Sequence, residues 1–183
     1  MELPPISASW HRIENWLHDR ERLRELAPPA THQAITQLEH HLGAAVHPDH
    51  AQLLLGHNGS GGFALPPHYE ILSTDEIVAV WQIKRAVWAN EPRPYGPHWV
   101  PFASDRAGGV LYLDATRPHQ GIQEHDKEGA SALSSHVMWA SLPSLMHHTA
   151  DALESGHVLD RYRRSGEDGD LLVWDVVLDT PDA

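Results

Sequence analysis

The chain has 183 residues, a hydrophobic share of 41%, no cysteine and a formal net charge of −12. This length and composition suit one globular domain with its own core. The lack of cysteine excludes disulfide frameworks, thiolate nucleophiles and cysteine-ligated zinc or iron, and the excess of 25 Asp and Glu over 13 Lys and Arg opposes direct binding to nucleic-acid phosphates.

The sequence contains no run of about 20 apolar residues, so we expect no membrane-spanning segment. Its start, Met-Glu-Leu-Pro-Pro, lacks the basic flank and apolar stretch of a secretory signal, which predicts a cytoplasmic protein. The acidity favours fast encounter with a basic protein partner, or it serves solubility alone. We therefore expect neither a nucleic-acid nor a membrane partner.

Helical periodicity dominates the first third of the chain. A first helix is predicted from Ser9 until the proline pair at 28–29 stops it. Thr31 can cap a second helix, which Gly43 ends, and Pro48 suits the first turn of a short third helix. An N-terminal helical extension over 1–29 thus precedes the rest of the fold.

The middle of the chain changes from helical to strand-like patterns. Residues 69–72 predict a short strand, and the capping-box pattern from Ser73 to Glu76 predicts a fourth helix after it. Beyond a proline-rich loop, short β-prone segments are separated by turn residues. They predict an antiparallel meander over 99–103, 110–114 and 121–125.

The last third begins with one further possible strand at 137–139. Ser141, with Pro143 in the first turn, predicts a helix that Gly156 closes. The apolar run 171–178 predicts a strand that is covered on both faces. Together these elements predict an α+β fold in one domain over 1–183, with a mixed, largely antiparallel β-sheet flanked by helices.

Two patterns suggest chemistry but have simpler structural interpretations. His57-Asn58-Gly59 contains a potential general base, yet Asn and Gly suit a turn that needs left-handed backbone. Asp105 with Gly108 and Gly109 is first a hairpin turn and second an acidic site. The 16 histidines suggest metal, but neighbouring helical residues point about 100° apart and no His-Glu-x-x-His motif is present. We therefore predict no catalytic, cofactor or metal residues.

The order and spacing of several short motifs resemble the SUKH superfamily, which is named partly after yeast cell-wall-synthesis regulators of the Smi/Knr type. The resemblance spans about residues 31–156. The motifs that carry it are, in chain order, the helix at 34–43, Val46-His47-Pro48-Asp49, Leu53-Leu54, His57-Asn58-Gly59, Trp99-Val100-Pro101-Phe102-Ala103, Asp105, Gly108-Gly109, Leu111-Tyr112-Leu113-Asp114, Gly121-Ile122 and the helix at 144–156.

This resemblance implies an α+β fold without catalytic residues or cofactor and, in bacteria, a role in neutralising a cognate toxin, often a nuclease. The use of 11 Arg against 2 Lys is typical of a GC-rich bacterial genome, which favours the immunity role. An intracellular scaffold or regulator is the alternative, followed by a metal-dependent hydrolase. The candidate partner-binding residues are Trp99, Asp105, Asp114, Glu124, Asp126, Glu167, Asp168 and Asp170.

Overall fold

The computed structural model of the chain describes residues 3–92, 94–117, 121–125, 139–157, 162–164 and 174–176. These residues form helices and antiparallel strands, which confirms the predicted α+β class. The helices are α1 (Ile6–His18), α2 (His32–Leu42), α3 (Pro48–Gly56), α4 (Thr74–Val87) and α5 (Leu142–Ser155), with a short 3₁₀ helix at Leu23–Glu25.

Local capping chemistry sets most helix ends as predicted. The Thr31 hydroxyl accepts from the amide of Ala34, and Gly43 ends α2 with left-handed backbone. Ser73 and Glu76 form the predicted capping box at the start of α4. α5 likewise has its predicted N-cap serine and its closing glycine. Among the described residues, no helix is both long and apolar enough to cross a membrane.

The first helix differs from the prediction at both ends. α1 begins at Ile6, directly after Pro5, and it ends at His18 rather than continuing to the proline pair at 28–29. Glu21 then adopts left-handed backbone with φ 58°, and the chain reverses direction. The reversal returns Leu26 to the core that α1 lines, which local periodicity alone does not reveal.

Five strands form one antiparallel sheet in the order β1-β2-β3-β4-β5, and two more pair separately as β6-β7. The predicted meander is therefore confirmed, with a register shift in β3 between Pro101 and Ala103. The strands are β1 (Ala64–Leu65), β2 (Tyr69–Ile71), β3 (Trp99–Ser104), β4 (Val110–Asp114), β5 (Gln123–His125), β6 (Tyr162–Arg164) and β7 (Trp174–Val176).

The five-stranded sheet separates two apolar clusters. Consecutive β4 residues Val110 and Leu111 belong to different clusters, because neighbouring strand residues point to opposite faces. α1 and α5 cover the face that includes Leu111, and α2 and α4 cover the face that includes Val110. α3 contributes Leu53 to the first cluster and Leu54 to the second.

Only part of the predicted C-terminal strand lies among the described residues. Trp174 in β7 is buried, and its indole Nε1 donates to the carbonyl oxygen of Ala64 in β1 at 3.0 Å. Asp175 is exposed, so the prediction of a strand covered on both faces is wrong at this residue. Of the possible strand at 137–139, Trp139 forms an isolated bridge with Ile122, and residues 137 and 138 lie outside the described residues.

Candidate functional site

An aromatic cluster covers the α4 side of the sheet near β5. We define it as Trp88, Tyr95, Trp99, Tyr112 and His125. The Trp99 ring stacks on Tyr112 with centroids 4.7 Å apart, and Tyr95 contacts Trp99 edge-on at 5.3 Å. The ring of His125 lies 4.9 Å from Trp88 and 5.1 Å from Tyr95. Trp88 and Trp99 are only half-buried, so this cluster offers large aromatic surface for contact.

Both tyrosines of the cluster hold their protons firmly. Burial, and then the negative charge of Asp114, raise the pKa of Tyr112 to about 12. Burial also raises the pKa of Tyr95 well above its usual value, with a further contribution from Tyr112. Neither phenol can act as a base at neutral pH, so these two tyrosines are suited to packing rather than proton transfer.

Asp114 lies at the end of β4, where its register partner in β3 is Trp99. It is buried, and its Oδ1 accepts hydrogen bonds from the amide and the hydroxyl of Thr116 at 2.8 and 2.6 Å. This carboxylate thus shapes the turn after β4 in addition to carrying charge.

Asp105 organises the hairpin turn between β3 and β4. Its Oδ1 accepts from the amides of Ala107 at 2.8 Å and Gly109 at 2.7 Å. A Cβ on Gly109 would lie 2.5 Å from Asp105 Oδ2, so the turn requires glycine there. Gly108 has φ 112°, in the left-handed region. These contacts are those expected of the predicted structural turn.

Two cations fix this hairpin to α4 and β2. The Nζ of the buried Lys84 donates to the carbonyl oxygen of Gly108 at 2.6 Å. Arg106 donates to Glu70 and to Glu76, each at 2.8 Å. Burial alone would raise the pKa of Glu76, but hydrogen bonds from Ser73 and Arg106 outweigh it and lower that pKa. By formal charge, the three acidic residues Glu70, Glu76 and Asp105 outnumber the two cations Lys84 and Arg106 at this turn.

Of the remaining acidic candidates, Glu124 lies on the opposite face of the sheet from Trp99. Glu124 pairs with Leu111 in the sheet, and its Oε1 accepts the hydroxyl proton of Tyr69, a residue of the α1 and α5 core. The sheet therefore separates Glu124 from the aromatic cluster. The other four candidates lie outside the described residues: Asp126, Glu167, Asp168 and Asp170.

The residues of His57-Asn58-Gly59 connect distant segments of the chain. The His57 ring contacts the carbonyl oxygen of Ala27 through Nδ1 at 2.6 Å and Glu14 Oε1 through Nε2 at 2.9 Å. The Asn58 side-chain oxygen accepts from the amide of Thr74 at 2.8 Å, at the first residue of α4. These contacts match the structural interpretation of the motif.

Gly59 completes this turn with φ 97°. A Cβ at this position would lie 3.1 Å from the amide nitrogen of Ser73, the residue that caps α4. The turn therefore brings the end of α3 and the start of α4 together through close backbone packing.

The structure also reveals an apolar stripe on α4 that the sequence pattern does not indicate. Ile83 and Val87 lie one helical turn apart, and they are 61% and 66% exposed. Helical periodicity predicts a buried face of α4 with Ile77, Val80, Trp81 and Trp88, of which Ile77 and Trp81 are buried and the other two are half-buried. The same periodicity does not indicate Ile83 and Val87 as a second apolar stripe. Exposed aliphatic side chains at this spacing are a second potential contact surface.

The histidines do not form a recognisable metal centre in the described part of the chain. There, no three His, Asp or Glu side chains converge in a way that could hold an ion. His50 is fully buried in α3, and burial, together with the charge of His47, lowers its pKa to about 3. It is therefore neutral at physiological pH and belongs to the core.

Comparison with known proteins gives one family assignment. No curated protein matches the chain. A family model described as the SMI1 / KNR4 family (SUKH-1) matches residues 29–129, which is more than half of the chain. This range includes α2 to α4, the strands β1 to β5, the His57-Asn58-Gly59 turn and the hairpin at Asp105. The chain therefore belongs to the SMI1 / KNR4 family (SUKH-1).

Proposed function

We propose that this chain is a cytoplasmic, non-catalytic immunity protein that binds a basic toxin domain and blocks its active site or substrate groove. The observation that carries the proposal is the SMI1 / KNR4 (SUKH-1) match over 29–129, because members of this superfamily in bacteria are largely toxin-neutralising binding proteins. The net charge of −12 supports a basic partner, since complementary fields accelerate encounter.

The proposed contact surface combines the aromatic cluster with the acidic hairpin and turn beside it. Trp99 supplies a large ring that is already held by Tyr112, so little side-chain entropy is lost on binding. Asp105 and Asp114 supply negative charge at the two ends of β4. Asp126, Glu167, Asp168 and Asp170 remain candidate acidic contacts, and Glu124 remains a candidate only for a contact on the opposite face of the sheet.

Co-expression tests the immunity role. The partner to use is the C-terminal domain of whichever large secreted protein is encoded beside this chain, produced in a host that it poisons. We expect the chain to restore growth and to co-purify with the domain. Growth arrest together with absence of binding would contradict the proposal.

Neutralising substitutions test the electrostatic part of the proposal. Asp105→Asn and Asp114→Asn remove charge but keep the side-chain oxygen that accepts the turn hydrogen bonds. At low ionic strength we expect each to slow association by about two- to tenfold, and the difference should shrink in high salt. Asp19→Asn makes the same charge change at an exposed position at the end of α1, away from the proposed surface, and is the control. Unchanged rates for both test variants would exclude these contacts.

A second function also has support from the family assignment. The family description includes the SMI1 / KNR4 regulators, so an intracellular scaffold of that type without a toxin partner is the alternative. The gene neighbourhood separates the two, because an immunity role requires a toxin gene next to this one. Without such a gene, proteins captured from the native host would replace the toxin domain as the binding partners to test.

A further inference from the structure

A groove runs along α1 and is formed by three adjoining cavities of about 580, 450 and 370 Å³. The two largest share Glu14 as a wall residue, and the first and third share Pro5 and Gln52. The groove extends from the start of α5 at Ser141, past α3, to the loop before α2. Each cavity falls within the size range of ligand sites, and their succession has the shape of an extended chain.

Counted over its Asp, Glu, Lys and Arg side chains, the described lining of the groove is acidic. Its described lining contains two carboxylates, Glu14 and Asp49, and neither Lys nor Arg. Three histidines complete its ionisable lining, namely His11, His18 and His57. A ligand with positive charge is therefore the complementary one.

Glu14 presents one carboxylate oxygen toward the groove. Its Oε1 lies 2.9 Å from His57 Nε2, and the other nitrogen of that ring, Nδ1, lies 2.6 Å from the carbonyl oxygen of Ala27. Its Oε2 lies 3.7 Å from His11 Nδ1, which is beyond hydrogen-bond distance, and no described residue donates to it. The side chain is 36% exposed, so an incoming donor can reach this oriented oxygen.

The wall beside Glu14 is apolar and rigid. The indole Nε1 of Trp10 donates to the carbonyl oxygen of Leu53 at 3.1 Å, which fixes the ring between α1 and α3. A Cβ on Gly56 would lie 2.3 Å from Trp10 Cδ1, so the ring packs directly against the backbone there. Leu55 and Pro29 extend this wall. Such a surface suits the aliphatic stem of a long basic side chain.

We propose that this groove docks an extended segment of the protein partner and places an arginine or lysine side chain on Glu14. The inference rests on the proposed function in taking a protein as the partner. α1 and the loop to Pro28 precede the range 29–129 that the family model matches. The groove is therefore built largely by residues outside that match, and it provides recognition specific to this chain.

A peptide titration of the full chain tests the groove directly. The probe is a blocked Leu-Arg-Leu peptide, and its neutral control replaces Arg with citrulline. We expect saturable NMR shifts at the amides of Gln52, Leu55 and Gly56. Binding of the citrulline peptide should be about tenfold weaker, because its side chain can still donate to the carboxylate of Glu14 but carries no positive charge. Shifts that do not saturate, or equal binding of the two peptides, would overturn the proposal.

Variants give the second arm of the test. Glu14→Gln should weaken binding of the arginine peptide by about tenfold. Gln52→Arg adds a positive charge at an exposed position of the groove, which should repel the arginine peptide and abolish the saturable NMR shifts. This variant keeps the proposal testable if Glu14→Gln does not fold. Glu91→Gln removes one negative charge, as Glu14→Gln does, but at an exposed position outside the groove. It should bind the arginine peptide like the wild type. Unaltered binding by Gln52→Arg would contradict the inference.

The toxin domain separates failure of the groove from failure of the proposed function. If Gln52→Arg and the wild type neutralise that domain equally, the groove inference is overturned and the immunity role stands. If no toxin domain binds while the arginine peptide occupies the groove, the immunity role fails and the groove inference stands.

Discussion

Replacing His50 by leucine should make the protein less sensitive to acid. His50 lies on α3 and is 0% exposed, and the centroids of its ring and of the Phe102 ring are 6.0 Å apart. Neither ring nitrogen of His50 has a hydrogen-bond partner among the described residues. Leucine has a similar volume and no polar atoms. His50→Leu should therefore be about 1 to 3 kcal/mol more stable than the wild type at neutral pH, because an unsatisfied buried polar group is removed.

The pH dependence follows from the same burial. The pKa of His50 falls from 6.5 in the unfolded chain to about 3 in the folded one, mainly because burial disfavours the charged ring. The unfolded chain therefore binds a proton as the pH drops below 6.5, while the folded chain does not. Unfolding becomes more favourable by about 1.4 kcal/mol per pH unit in this range, or about 2 kcal/mol near pH 5.

Urea unfolding at about pH 7.5 and about pH 5 measures this contribution. Between these two pH values, the wild type should lose about 2 kcal/mol more of its free energy of unfolding than His50→Leu loses. His40→Gln removes an exposed histidine from α2 and is the control, which should behave as the wild type. An equal loss in the wild type and His50→Leu would refute the assignment of a buried, neutral His50.

Three further substitutions test local structure through thermal or urea unfolding. Asn58→Ala removes the acceptor for the amide of Thr74 and should cost about 1 kcal/mol, whereas unchanged stability would contradict the structural role of the turn. Gly56→Ala forces a Cβ against the Trp10 ring and should cost about 1 to 3 kcal/mol; a neutral effect would show that the ring can move. Ser73→Ala removes the N-cap of α4 and should cost about 1 kcal/mol, which Ser73→Asp should restore.

Features controlled by local chemistry were predictable from the sequence. Thr31 and Ser73 cap their helices as expected, because a capping side chain needs only the amides two or three residues ahead. The hairpin at Asp105 was also identified, since glycines that tolerate left-handed backbone follow within four residues. The end of α1 was not predictable, because the reversal at Glu21 is favoured by burial of Leu26 in a core made by later segments.

The candidate site was only partly accessible to sequence reasoning. Trp99 was identified as a strand aromatic, but its half-exposed position depends on stacking with Tyr112 and therefore on the β3–β4 register. Glu124 is near Asp114 in the sequence, yet strand alternation places it on the other face of the sheet. The groove depends on contacts such as Trp10 with Leu53, 43 residues apart, which no local pattern encodes.

Titration of toxin activity with the purified chain tests the central claim most directly. The toxin domain identified by co-expression is assayed on its own substrate while the full chain is added in increasing amounts. We predict that activity falls linearly and is abolished at equimolar chain, as expected for a tight protein inhibitor that covers the active site or substrate groove. Full toxin activity in the presence of excess folded chain would contradict the account of this protein as an immunity protein.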